Sequence, residues 1–279
     1  MDEAGEERFR LKVGRFVAMM HEEQSSQVLY RGVMGALGYT KNKEQLEELA
    51  IRLPVATLEV FCRGKPFEER VQVLEALLLG TVGLLTEGGS VEMERLWRCS
   101  GNGEPMRPSC GRTFRVRPEN QPARRLTGAA HLLARSMSEG LVEGVLGLVR
   151  ESGWDVEGLE AGFMVGAPEG SAQGERALIG RGRAREVVVN IVLPFAYAWA
   201  EGNQQAEQAL ALYKGYPPSG GNEITRGLTK LLGDGSPALV NSACRQQGLI
   251  HLDKTYCRER KCGECPLARR LAVLQQVSC

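Results

Sequence analysis

The sequence predicts an all-α protein, a multi-helix globular array of roughly ten to twelve helices with an Arg-, Pro- and Gly-rich central loop. Apolar residues recur at spacings of three and four along most of the chain, the period that lines one face of a helix. In the middle region only Thr113–Val116 reads as a short strand. The 34 glycines in 279 residues, about 12% against a usual ~7%, imply many breaks between short elements.

Each element follows from its apolar face. Phe9, Val13, Phe16 and Met20 form a first stripe. Val28, Leu29, Val33 and Leu37 form a second, with Gly38 placed to end it. Leu46, Leu49, Ala50 and Leu53 give a third before Pro54. Pro66 suits the first turn of a fourth, since its missing N–H would be unpaired there anyway. Leu74, Leu77, Leu78 and Val82 are that helix's buried side, and Gly88-Gly89 closes the segment. From Cys99 to Gln121, Gly and Pro break any sustained period. A helix restarts at Pro122 with Leu126, Ala129, Ala130 and Leu133 inside, and another spans Leu141–Glu151. Residues 153–175 read as a surface connection. Helices resume near Ala177, and Pro194 cannot donate to the carbonyl of Asn190, so a kink is expected there. Later helices are expected at Gln204–Tyr213, Asn222–Leu232, Pro237–Tyr256 and Leu267–Val277, with Pro217–Gly221 as a turn. The chain divides into a helical block 1–98, an arginine-rich loop 99–121 and a helical block 122–279, or forms one continuous domain.

Composition narrows the class. Hydrophobic residues are 43% and charged residues 25%, too apolar for a disordered chain. Lys+Arg 35 against Asp+Glu 34 leaves +1, so no global charge advertises a polyanionic partner. Eight cysteines are too few for a disulfide-stapled secreted domain. Residues 1–12 are charged throughout, unlike a signal peptide. The longest apolar runs, Ala76–Thr86 and Val187–Ala200, fall short of the ~20 residues of a membrane helix. A cytoplasmic protein without a membrane partner is expected.

Two local sites stand out. Residues 107–125 carry Arg107, Arg112, Arg115, Arg117, Arg124 and Arg125 against Glu119 alone, six minus one or +5 in a protein of total +1. Guanidinium groups bind phosphate through paired N–H donors, and a helix starting at Pro122 would add backbone N–H groups. Arg112, Arg115, Arg117, Asn120, Arg124 and Arg125 are therefore candidates to bind DNA, RNA or another anion. The alternative is that these arginines clamp the fold internally. A second cluster, Arg176, Arg181, Arg183 and Arg185, reads as a helix entrance.

The other site is Cys257, Cys262 and Cys265, spaced C-x4-C-x2-C among Arg258, Arg260, Lys261, Arg269 and Arg270. A C-x2-C turn points two thiolates at one metal, and the basic neighbours favour thiolate over thiol. Zinc, an iron–sulfur cluster, a redox pair and plain reduced cysteines all fit. A closed site needs a fourth ligand from Cys244, His251, Cys279 or another chain. On a straight helix Cys244 stands about 20 Å from Cys257, too far to share an ion. No H-E-x-x-H, G-x-S-x-G or kinase pattern is present, so no catalytic group can be named.

Four stretches, 29–50, 114–130 (FRVRPENQPARRLTGAA), 187–202 (VVVNIVLPFAYAWAEG) and 241–267 (NSACRQQGLIHLDKTYCRERKCGECPL), resemble an uncharacterised bacterial family, domain-of-unknown-function family 2851. The resemblance covers nearly the whole chain and implies no activity. It implies that relatives carry a further N-terminal domain, so a separately encoded domain is an expected partner. The tail is also similar to the end of helix-hairpin-helix DNA glycosylases, which hold an iron–sulfur cluster with C-x6-C-x2-C-x5-C. Here the first spacing is two residues short and Leu271 stands at the place of the fourth cysteine. The leading expectation is a nucleic-acid- or anion-binding module. The alternatives are a nucleic-acid-processing enzyme with a metal site in its tail and a non-catalytic helical interaction protein.

Overall fold

The computed structural model describes residues 1–85, 91–100, 104–106, 121–167, 177–200, 203–232 and 236–269, with backbone alone at 39–41, 236 and 237. These form an all-α fold. The helices are α1 (Asp2–Glu22), α2 (Ser25–Arg52), α3 (Val55–Cys62), α4 (Phe67–Thr81), α5 (Val91–Cys99), α6 (Pro122–Ser136) and α7 (Leu141–Glu151). They continue with α8 (Val156–Phe163), α9 (Arg181–Val187), α10 (Leu193–Trp199), α11 (Gln204–Gly215), α12 (Glu223–Leu231), α13 (Ser236–Leu239) and α14 (Ala243–Leu252). The described residues contain one isolated bridge, Val165 to Ile179, and no named strand. The expected strand at Thr113–Val116 lies outside the described residues.

The chain forms two compact units, Met1–Val17 with Leu193–Cys279, and Ala18–Val192. In the second unit α4 packs extensively on α6. The segment 99–121 thus joins helices of a single unit.

The expected apolar stripes are the buried faces, except that Met20, at the end of the first, is only half-buried. Phe9, Val13 and Phe16 are buried, as are Leu74, Leu77, Leu78, Leu126, Ala129, Ala130 and Leu133. α2 departs from a straight rod. The Glu47 carboxylate lies over Gly35, where a Cβ would have no room, and Gly38 meets the backbone of Lys43. Twelve residues of straight helix span about 18 Å, so α2 folds back near Gly38, where the sequence places a helix end. The kink expected from Pro194 takes the form of a π-helical turn at Val188–Val192. There Asn190 Nδ2 donates to Glu186 O at 2.9 Å.

Two expectations are corrected. Residues 153–175 are not wholly a connection, because Val156–Phe163 is helical: the Asp155 carboxylate accepts from Gly158 N and caps it. The helix expected over Pro237–Tyr256 is interrupted after Leu239. Ser242 then caps α14 by accepting from Arg245 N.

In the first unit, Phe9 packs on Tyr197 and Tyr213 at centroid distances of 5.5 and 4.6 Å. Tyr213 Oη donates to Gly5 O at 2.9 Å. A side chain at Gly5 would overlap the Cys244 carbonyl, and one at Gly248 would overlap the Met1 carbonyl. Glycine is required at both points because α1 and α14 cross in near backbone contact.

Candidate functional site

The arginine-rich site is built on α6. Pro122 occupies its first turn, where the missing N–H costs nothing. Two turns on, Gly128 leaves a bare floor: a Cβ there would stand 3.0 Å from Ile179 Cγ1 and 3.4 Å from Leu178 Cβ. The segment before α9 lies on that floor. Arg124 Nη2 donates to Ala177 O at 3.2 Å and Arg125 Nη1 to Leu178 O at 3.1 Å. Ile179 pairs with Val165 through two backbone bonds of 3.0 and 3.1 Å. Arg135, at the far end of α6, donates to Met164 O at 2.7 Å. Arginines of one helix therefore hold both sides of the bridge.

From Gly180 the chain enters α9 with Arg181, Arg183 and Arg185. Glu160 of α8, only 1% exposed, receives Arg185 Nε at 2.6 Å and lies 3.6 Å from Arg181 Nε. Arg183 donates to Ala36 O at 3.3 Å, beside the fold-back of α2, and pairs with Glu186. The Arg181 side chain is 61% exposed, so its guanidinium, with five donors, meets solvent as well as Glu160. Arg125, by contrast, is buried. Its role is to fasten Leu178, which fits internal clamping.

The flank of α6 toward α4 holds titratable groups. Burial raises the Glu75 pKa, and a hydrogen bond from Thr127 partly offsets this. Burial, with Arg135 nearby, lowers that of His131, whose ring lies 6.2 Å from that of Phe67.

Of the expected anion ligands, Arg124 and Arg125 thus meet the 177–178 segment, while Arg112, Arg115, Arg117 and Asn120 lie outside the described residues. Sequence reasoning missed Arg135 and Glu160. Arg135 had a signal: it follows Arg124 by eleven residues, three helical turns, and so shares its face. Glu160, one acid in a Gly-rich stretch, had none.

The tail belongs to the first unit. α14 runs on through a π-helical turn at Asp253–Cys257, closed by Arg258 N to Asp253 O at 2.9 Å. Arg260, at φ 56°, then reverses the chain. Lys261 N donates to Tyr256 O at 2.8 Å, Arg260 N to Cys257 O at 3.1 Å, and Cys265 N to Cys262 O at 3.2 Å across a 3-10 turn. Cys257 and Cys262 are exposed and Cys265 is buried. Two of the expected fourth ligands are engaged elsewhere. The buried Cys244 thiol donates to Asp2 O at 3.6 Å, and burial pushes its pKa up to about 11. His251 Nε2 lies 3.2 Å from Glu7 Oε2. Cys279 is outside the described residues. Among the described residues, no three His, Cys, Asp or Glu side chains stand grouped as a metal ion would hold them.

A shallow cleft of about 340 Å³ in the second unit is lined by Gln27, Ile51, Pro54 and Val55, among others. The Gln27 amide there is structural, donating to Ala50 O and accepting from Val55 N.

The family model described as "Protein of unknown function (DUF2851)" matches residues 1–221. The chain belongs to the DUF2851 family. The matched region of this DUF2851 protein includes α6, the bridge and α9. No curated protein and no solved structure matches the chain. Among the described residues, no helix is long and apolar enough to cross a membrane.

Proposed function

We propose that this DUF2851 protein is a helical nucleic-acid-binding module. In this reading Arg112, Arg115, Arg117 and Asn120, together with Arg181 of α9, bind a phosphate backbone, and Arg124 and Arg125 fasten the platform. The observation that carries it is the convergence of two arginine-rich stretches, separated by fifty residues of sequence, through Arg124 to Ala177 and Arg125 to Leu178. Arg181, Arg183 and Arg185 follow directly on α9, with Glu160 and Glu186 among their ionic partners. Arginine is the residue suited to planar, bidentate contact with phosphate oxygens, and such contacts fix register without reading sequence.

The test is the salt dependence of binding to labelled duplex and single-stranded oligonucleotides. If Arg115 and Arg117 each neutralise one phosphate, replacing both by Ala weakens binding alike for all sequences. It also flattens the slope of log affinity against log salt by about 1.8 on duplex DNA, at ~0.9 per contact. Replacing Arg125 instead lowers thermal stability. A wild-type protein with no salt-dependent affinity for either strand form refutes the proposal and leaves the internal-clamp reading.

A further inference from the structure

Two cations of α1 and one amide of α14 form a cluster within the first unit that shares no residue with the arginine platform. The sequence of α1 divides by charge. Asp2, Glu3, Glu6 and Glu7 come first, Arg8, Arg10, Lys12 and Arg15 follow, and the next acid is Glu22. Three of the early acids are engaged elsewhere: Asp2 with Arg245 at 2.9 Å, Glu6 with Lys214 at 2.9 Å and Glu7 with His251 at 3.2 Å. Arg8 and Lys12, one turn apart, meet a neutral atom instead. Arg8 Nε donates to Gln247 Oε1 at 2.7 Å, and Lys12 Nζ donates to the same oxygen at 3.0 Å. Like charges at this helical spacing repel. Both side chains are half-buried, where the repulsion is screened less than on an open surface. Among the described residues no carboxylate pairs with Arg8.

Gln247 fixes which donors remain. With its oxygen taken by two cations, the amide nitrogen stands beside them and keeps its N–H donors. The Arg8 guanidinium bonds Gln247 through Nε and keeps its Nη donors. The backbones that carry these groups are held close. Gly248, next to Gln247, lies against the Met1 carbonyl, and Gly5, three residues before Arg8, lies against that of Cys244.

We infer that Arg8, Lys12 and Gln247 form an oxyanion site that takes a phosphate group, whether of a free phosphate or phosphate ester or of a nucleic-acid backbone. Guanidinium offers paired donors to phosphate oxygens, and lysine adds a point charge. A bound phosphate brings the negative charge that the neutral Gln247 oxygen lacks, and so offsets the repulsion between the two cations. The donors are already gathered, so little ordering opposes binding.

The experiment uses the full chain and reads acetylation of Lys12 by mass spectrometry in three solutions. These contain chloride, inorganic phosphate at equal ionic strength, and chloride with a short oligonucleotide that lacks terminal phosphates. Lys12 is expected to react more slowly in phosphate than in chloride, while Lys230 of α12, which is exposed, reacts alike in both. Arg8→Gln removes a charged donor and should weaken the affinity behind this protection by about tenfold or more. Arg10→Gln makes the same charge change two residues along, off this face, and should leave the protection unchanged. Protection by phosphate alone marks a free phosphate or phosphate ester as the ligand. Protection by the oligonucleotide, with or without the ion, marks a nucleic-acid backbone. The wild-type pattern needs no variant, so it decides the matter even if Arg8→Gln fails to fold, and a failure of binding at α6 and α9 leaves this readout intact. Equal acetylation of Lys12 in all three solutions overturns the proposal, as does a protection that Arg8→Gln leaves unchanged.

Discussion

Replacing Glu160 by Ala removes a carboxylate that is 1% exposed and serves two arginines. Arg185, 18% exposed and bonded at 2.6 Å, loses that carboxylate in a site where little water can replace it. Breaking a buried pair costs about 3–5 kcal/mol, and the low end, roughly 3 kcal/mol, applies because part of the guanidinium reaches solvent. Arg181 adds at most about 1 kcal/mol, since its side chain is 61% exposed and its approach is 3.6 Å. The unit that contains Glu160 spans Ala18–Val192, and for that size 1 kcal/mol shifts the melting temperature by about 2–4 °C. A drop of about 6–12 °C is expected in that unit's transition, followed by scanning calorimetry of the full chain. Glu160→Gln keeps an acceptor and should fall less, and Arg181→Ala should stay within about 1 kcal/mol of wild type. A Glu160→Ala protein within about 0.5 kcal/mol of wild type, the range of ordinary surface changes, refutes the assignment of Glu160 as the anchor of α9.

Two further outcomes test other parts of the fold. Gly5→Ala places a methyl group into the Cys244 carbonyl, which belongs to backbone and cannot swing aside. Overpacking of about 1–3 kcal/mol should outweigh the ~1 kcal/mol gain in helix propensity, lowering the urea midpoint; an unchanged or raised midpoint contradicts the close crossing. His131 has a folded-state pKa below its ordinary 6.5, so the unfolded chain takes up this proton first. Its contribution is whole above about pH 6.5 and is lost as pH falls from there through the folded value. His131→Gln should flatten stability against pH between about 7 and 5, whereas curves that run parallel to wild type over that window count against a half-buried imidazole that resists protonation.

Much of the helix pattern was legible locally. The stripe Phe9, Val13, Phe16 and the stripe Leu126, Ala129, Ala130, Leu133 are buried as their spacing requires, because the 3.6-residue period places them on one face. Gly38 marked the fold-back of α2 and Pro194 the distortion at Val188–Val192 for the same local reason: one lacks a side chain, the other an N–H. α8 was missed because its glycines and acids dilute the apolar period, and a single cap at Asp155 outweighed them.

Sequence alone thus determined which faces are apolar and where helices break, since both are properties of neighbouring residues. It did not determine what each face meets. Gly5 opposite Cys244, and Gly128 beneath Ile179, are contacts between distant segments, set by how closely two backbones approach. The arginines show the same division. Their clustering was visible in the sequence, but Arg124, Arg125 and Arg135 bind main-chain carbonyls, and every residue carries one. No side-chain pattern announces such a partner. Only tertiary packing decides which carbonyl lies within reach.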